Sequence, residues 1–331
     1  MKLLKPLLVL TGFLFCAAHA GAEELKVKFG YGSTEQHPQG VAAKLFADLV
    51  KTKSKGQIVV NTYSSGKLGS DPQMQSSLQG GTLEMMVGPT SNLVGLVQEL
   101  GLFDLPFLFS SNKEADAVMD GATGKALAEK LEPHGLIGLA YWENGFRHVT
   151  NSKRHIKRPE DIHGLKIRVM QNPVFNDTFK ALGANTVPLA FTELYTALDM
   201  KAVDAQENPL GLFESTKFYE VQKYITLSAH VYAPFIVLAS KKWWDTLSDA
   251  NRKIIREAAL ESAVAQRKLA RDMAEQTEKR LKELGMEVTV MSPEERNRMR
   301  EAVKPVFQKY AQTIGEDLVN QALADIRKAN P

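Results

Sequence analysis

Cysteine is all but missing from this sequence: 331 residues carry a single one, Cys16. It lies in a leader-like N-terminus, so the remainder of the chain has no thiol. That excludes a disulfide, a thiolate nucleophile and a Cys-ligated metal there, and leaves stability to packing. An excess of charge of one sign is lacking too, with 41 Lys and Arg against 38 Asp and Glu. Without Lys2 and Lys5 the formal charge falls from +3 to +1. Nucleic-acid binding, which needs a clustered basic face, has no support. Beyond residue 22 no apolar run approaches the roughly 20 residues of a membrane-spanning helix. Catalytic signatures are equally scarce. There is no GxGxxG after a strand, no phosphate loop, no HExxH, no EF-hand loop and no GxSxG elbow. The six histidines beyond the leader (His37, His134, His148, His155, His163 and His230) are scattered, without the i,i+4 spacing of a helical metal pair. No cofactor or metal is expected, and an enzyme is not.

What is present starts with a targeting segment. Lys2 and Lys5 precede an apolar stretch from Leu7 to Ala18, and small residues follow through Ala22. This is the layout of a cleaved signal peptide over residues 1–22, with cleavage after Ala20 or Ala22. Phe15 stands before Cys16 where lipoprotein signals carry a small residue, so a soluble exported product is expected.

The remainder reads as alternating strands and helices, the pattern of α/β folds. Leu25–Phe29 alternates apolar residues with lysines and predicts a strand. A helix follows with Val41, Leu45 and Leu49 on one stripe, beside Phe46 and Val50. Ile58–Tyr63 is β-branched and aromatic, a second strand. Asp71-Pro72 opens a short helix as cap and first residue, closed by Gly80-Gly81. Strands are predicted at 83–87 and 136–142, and the apolar stretch 102–109 between them reads as core or as a surface facing another domain. A second α/β series starts near residue 147, with strands at 165–169, 203–206 and 232–239 and helices at 173–182 and 191–200. From Asp249 to Leu284 no Pro or Gly occurs for 36 residues. At about 1.5 Å per residue such a helix reaches roughly 50 Å, wider than one small domain. Ser292-Pro293-Glu294-Glu295 then opens a last helix with a capping-box pattern. The architecture expected is two α/β lobes braced by one long helix.

Polar residues at strand ends are the candidates for ligand contact. Arg168 sits near the end of the apolar strand 165–169, where burial without a partner is costly. Its carboxylate partner comes either from the protein or from a ligand, and guanidinium can hold it by two parallel hydrogen bonds. Arg147 lies where the chain passes between lobes, with Glu143 as a possible structural partner. Asn208, at the strand end Val203–Pro209, either donates to a carboxylate or caps the next turn.

Several of these segments together resemble the solute-binding proteins of TRAP (tripartite ATP-independent periplasmic) transporters, the DctP family. They are Gly164-Leu165-Lys166-Ile167-Arg168, Pro188–Tyr195, Val203–Pro209, Lys217–Tyr224, Ser64–Gly69 and Leu105-Pro106-Phe107. The resemblance covers essentially the whole chain after the leader, in order. It implies a periplasmic, non-catalytic two-lobed clamp that closes on an organic acid anion. The first lobe would comprise 23–146 and 234–270, the second 147–233 and 271–331, with the 249–284 helix spanning both. It implies Arg168 as the partner of the ligand carboxylate, Asn208 as a second contact, Arg147 as a further one and Phe191 as an apolar wall. Positions that vary with ligand fall around His37, Gln73 and Ser91-Asn92. Pro89 and Asn92 stand where sialic acid binders of the family carry an acidic residue and an arginine, which argues against that ligand. Ala140–Gly145 resembles members that take sugar acids such as diketogulonate and uronates. Gln73, Asn92, Gln171, Asn172 and Tyr232 would then meet hydroxyls. The implied partners are the small and large membrane subunits of the transporter, with the binding protein itself a monomer. A receptor for a periplasmic sensor, or an isomerase or lyase on the same scaffold, are the rival readings.

Overall fold

The computed structural model describes residues 24–330, so the expected signal peptide lies outside the described residues. Ten strands occur among them: β1 (Leu25–Tyr31), β2 (Ile58–Tyr63), β3 (Met85–Pro89), β4 (Leu136–Asn151), β5 (Lys166–Val169), β6 (Asn185–Pro188), β7 (Ala205–Pro209), β8 (Tyr224–Leu227), β9 (Tyr232–Ser240) and β10 (Glu287–Val290). The α-helices are α1 (Pro38–Lys53), α2 (Asp71–Gly80), α3 (Asn112–Asp120), α4 (Ala122–Glu129), α5 (Pro173–Ala181), α6 (Phe191–Asp199), α7 (Leu210–Ser215), α8 (Lys241–Trp244), α9 (Asp249–Glu283), α10 (Pro293–Ile314) and α11 (Glu316–Ala329).

The strand order is β2-β1-β3-β9-β4-β7-β5-β6, with β8 pairing β4 and β10. In the first half β1 lies parallel between β2 and β3. In the second, β5 lies parallel between β6 and β7. The long strands β4 and β9 run antiparallel through the middle and join the two halves. β4 is one 16-residue strand where the sequence predicted a strand at 136–142 and a new series near 147. It crosses because its pairing is handed from β9 to β7 near Arg147, past a bulge at Glu143/Gly145. Gly145 there has φ +112°, a conformation that side chains rarely tolerate.

The long helix forms as expected and packs on both halves. Ile255, Ala258, Ala259 and Ala263 of α9 bury against the first-half sheet and α1, and Leu281 joins Leu194, Leu198 and Phe213 of the second half. Small residues at that contact let α9 approach α1 closely. A second brace was not foreseen. Met299 and Val303 of α10 pack in the second-half core, while Val306, Tyr310 and Ile314 pack in the first. α11, grouped with the second lobe by the sequence, packs on α3 and α4 of the first. The stripe expected on α1 is also rotated. Val41 is 46% exposed, and the helix buries Ala42, Ala43, Phe46 and Val50 instead. The apolar stretch 102–109 is core, with Leu102, Phe103, Leu105 and Phe109 buried.

Candidate ligand-binding site

The parallel strands of both halves direct their C-terminal ends at one cavity. Gly32 and Ser33 follow β1, Pro89 ends β3, and Met170 and Gln171 follow β5. The N-termini of α2 and α6 open onto it through Asp71, Pro72, Ala190 and Phe191. Strand ends and helix N-termini leave backbone N–H groups and positive dipole ends facing the same space, the usual place for an anion in open α/β folds.

Arg168 lies on the cavity wall and is 2% exposed. Its Nε donates to the Leu189 carbonyl at 2.9 Å, which fixes the guanidinium to the loop after β6. Its Nη1 has no partner in the protein. Burial pushes its pKa down to about 10, against the pull of Glu207, so it stays cationic at neutral pH.

Arg147 is wholly buried beside it, and here the protein supplies the carboxylate. Its Nε and Nη2 grip Glu207 of β7, with Nη2 to Oε1 at 2.7 Å, and Nη2 also donates to Asn208 Oδ1 at 3.1 Å. The ring of Phe175 lies 5.3 Å from the guanidinium carbon. Burial alone would raise the Glu207 carboxyl, but the Arg147 charge and a His230 hydrogen bond hold it below the usual range. Glu143, the partner suggested by sequence, is corrected: the bulge turns it to α9, where it accepts from Arg271 at 2.7 Å. Arg147 Nη1 has no partner.

Six of the nine residues singled out from sequence line this cavity: Arg168, Asn208, Arg147, Gln171, Phe191 and Asn92. Asn208 is held from both sides, accepting from Arg147 and donating to Gln206 Oε1 at 2.6 Å. Three are placed elsewhere. His37 caps α1, its Nδ1 accepting from Gln39 N at 3.1 Å, and burial pushes its pKa down to about 3. Gln73 is exposed and closes a capping box, its Oε1 accepting from Ser70 N at 2.8 Å. Tyr232 is core, between Phe109 and Phe146 with ring centroids 5.8 and 5.2 Å away. Asn172 is withdrawn as well, donating to Asp104 Oδ2 at 2.7 Å and to the Ser91 carbonyl at 2.9 Å.

The cavity also contains residues that sequence reasoning passed over. Ser33 Oγ and Asn144 Oδ1 are buried without partners. Asp71 is the first residue of α2 rather than its cap, which is Ser70. Burial pushes its carboxyl up to about 6, with Arg168 pulling the other way. A polar residue opening a helix after the glycine-containing loop 64–70 was the available signal. Among the described residues no cluster of His, Cys, Asp or Glu could hold a metal ion, and no helix is long and apolar enough to cross a membrane.

Known proteins are similar to this chain in sequence and fold. The chain is 38% identical over 274 residues, 83% of each chain, to the 2,3-diketo-L-gulonate-binding periplasmic protein YiaO of Escherichia coli K12. Among solved structures it is similar to the sugar acid binding protein DctPAm of Advenella mimigardefordensis in complex with galactonate. That similarity is 47% identity and a TM-score of 0.91 over 93% of this chain and 99% of the other. A TRAP periplasmic solute binding protein of Polaromonas sp. JS666 bound to D-erythronate is 39% identical, with a TM-score of 0.88 over 90% and 98% of the two chains. A family model, bacterial extracellular solute-binding protein, family 7 (DctP), matches residues 29–313. By that match the chain belongs to the DctP family of solute-binding proteins.

Proposed function

We propose that the cavity clamps a small hydroxylated organic acid anion, a uronate, aldonate or related sugar acid. The chain is then the periplasmic subunit of a TRAP transporter and hands its ligand to the small and large membrane subunits. As a member of its family it binds its solute and does not transform it. One observation carries the ligand reading. Four buried polar atoms without protein partners, Arg168 Nη1, Arg147 Nη1, Ser33 Oγ and Asn144 Oδ1, belong to residues lining one cavity. Buried polar groups are almost always paired, so a group of orphans marks partners supplied from outside. Two of the four are guanidinium donors, which suit a carboxylate; the others suit hydroxyls. The proteins similar to this one that bind diketogulonate, galactonate and D-erythronate support the same class.

In this reading Arg168, already fixed through Nε, receives the carboxylate with Asn208 beside it. Arg147 adds its free Nη1, because Glu207 and Asn208 occupy Nε and Nη2. Phe191 walls the site, and Asn92 and Gln171 meet hydroxyls. The first-half residues add contacts only when the lobes close, which is how a ligand biases closure.

The test is a thermal-shift screen of the leaderless protein, refolded to strip bound ligand, against uronates, aldonates, keto-sugar acids, C4-dicarboxylates and neutral sugars. A ligand at 100 times its Kd stabilises by about 2.7 kcal/mol. At about 2 °C per kcal/mol for a chain this size, that is roughly 5 °C. The expected result is such a shift with one or a few sugar acids, lost in Arg168→Ala. A shift with dicarboxylates alone replaces the sugar acid and keeps the clamp. A flat response to every anion overturns the clamp.

A further inference from the structure

Asp71 is an odd residue to find in an anion-binding cavity. It is 9% exposed, ionisable, and lines the same space as Arg168. Its Oδ2 accepts a long hydrogen bond from Asn92 Nδ2, 3.4 Å. Its Oδ1 accepts none from the described residues. The backbone on that side is glycine. A Cβ built on Gly32 would come within 3.3 Å of Oδ1, and one on Gly88 within 3.5 Å. Two positions without side chains thus leave this oxygen uncovered, on the wall contributed by the first half of the chain.

We infer that Asp71 sets the ligand class, accepting hydrogen bonds from ligand hydroxyls and turning away a second carboxylate. The inference rests on Arg168 holding one carboxylate, as proposed above, and adds what the far end of the ligand must be. A carboxylate oxygen is acceptor-only, so its missing partner is a donor. A hydroxyl is a donor, and a second ligand carboxylate is not. Two carboxylates facing each other across the cavity repel, and neither is paired with the other. The ligand is then a monocarboxylate with hydroxyls placed away from its acid group, such as an aldonate or uronate, and not a C4-dicarboxylate. Burial pushes Asp71 up to about 6, and Arg168 opposes that rise, so near pH 7.5 the group is an anion and able to discriminate. Asn92 and Gln171 complete the polar lining without adding charge.

The experiment is calorimetric titration at pH 7.5 of refolded leaderless protein with galactonate, galacturonate, D-erythronate, succinate and malate. It compares wild type, Asp71→Asn and Asp71→Ser, with Arg168→Ala as the control for the clamp. Asn and Ser both suit the start of a helix, and the melting temperature of each variant checks its fold. Wild type is expected to bind its best hydroxylated monocarboxylate at least about 100-fold tighter than succinate, two unmade or repelled polar contacts being worth about that factor. In Asp71→Asn the preferred ligand should weaken by about 10- to 100-fold and succinate should tighten, so that the ratio collapses. If wild type favours succinate or malate, or the ratio survives in both folded Asp71 variants, the inference is overturned while the clamp stands. If wild type binds none of these anions, both readings fall together.

Discussion

Two buried arginines stand side by side in this cavity, and they should respond in opposite ways to the same change. Arg147→Met strips Glu207 of its paired cation and leaves a fully buried carboxylate with His230 as its remaining side-chain hydrogen-bond partner among the described residues. Breaking a buried pair in this way costs about 3–5 kcal/mol. At about 2 °C per kcal/mol the melting temperature should fall by roughly 6–10 °C. Arg168→Met loses one hydrogen bond, to the Leu189 carbonyl, worth about 1.5–3 kcal/mol for a charged donor. It also relieves an unpaired buried Nη1, whose desolvation costs about 1–3 kcal/mol. The two nearly cancel, and the ligand-free melting temperature should move by no more than about 3 °C. Binding should divide the other way. Losing two charge-assisted bonds to a ligand carboxylate costs about 3–6 kcal/mol, a factor of roughly 10² to 10⁴ in Kd. The assay is differential scanning fluorimetry of refolded, ligand-free proteins, followed by titration calorimetry with the best sugar acid. If Arg168→Met melts as early as Arg147→Met, Arg168 is a structural ion and the division of labour is wrong.

Two further outcomes follow from the same geometry. Asp104 is buried between Ser91 and Asn172, and burial pushes its carboxyl up to about 7. Its raised pKa stabilises the folded chain below about pH 4 and is lost as pH rises through 7, so between pH 5 and 8 wild type should lose roughly 2–3 kcal/mol that Asp104→Asn does not. The melting-temperature gap, variant minus wild type, should therefore widen by several degrees over that range, and a pH-independent gap would refute the account. Gln266 of α9 completes the free edge of β4, accepting from Glu143 N at 2.6 Å and donating to Glu143 O at 2.7 Å. Gln266→Leu orphans both backbone groups and should cost about 2–5 kcal/mol in chemical denaturation, with a loss under 1 kcal/mol sinking the idea that this residue ties the long helix to the crossing strand.

Much of the fold was legible because local pattern and tertiary role agree. β2 falls on Ile58–Tyr63 as predicted, and α9 runs to Glu283, one residue short of the predicted end. Where they disagree the sequence misleads. The apolar stripe of α1 predicts Val41 inward, but the helix must also bring Ala42 and Ala43 against α9, and small residues win that face. The pattern predicts a strand that ends at Trp142 and a new series near 147, yet Gly145 serves a bulge inside one continuous strand. No local signal announces α10 as a second brace. Its halves belong to different cores, and only the packing reveals it.

The site is legible to the extent that chemistry alone constrains a residue. A buried arginine demands an anion wherever the chain goes, so Arg168 near a strand end and Arg147 at the crossing both stand out in the sequence. Which anion each receives depends on register. β4 pairs antiparallel with β7 so that Val149 faces Glu207 and His148 faces Asn208, which carries Glu207 to Arg147 and leaves Arg168 wanting. A shift of one residue would have exchanged the faces of the strand and left Glu207 pointing away. His37, Gln73 and Tyr232 fail as lining residues for the opposite reason. Each satisfies a local demand, a helix cap, a capping box or an aromatic core, before the cavity is reached. Asp71 is the reverse case. Its local role as a helix-opening residue is sufficient to explain it in sequence, and only the open backbone at Gly32 and Gly88 exposes the oxygen that its helix does not use.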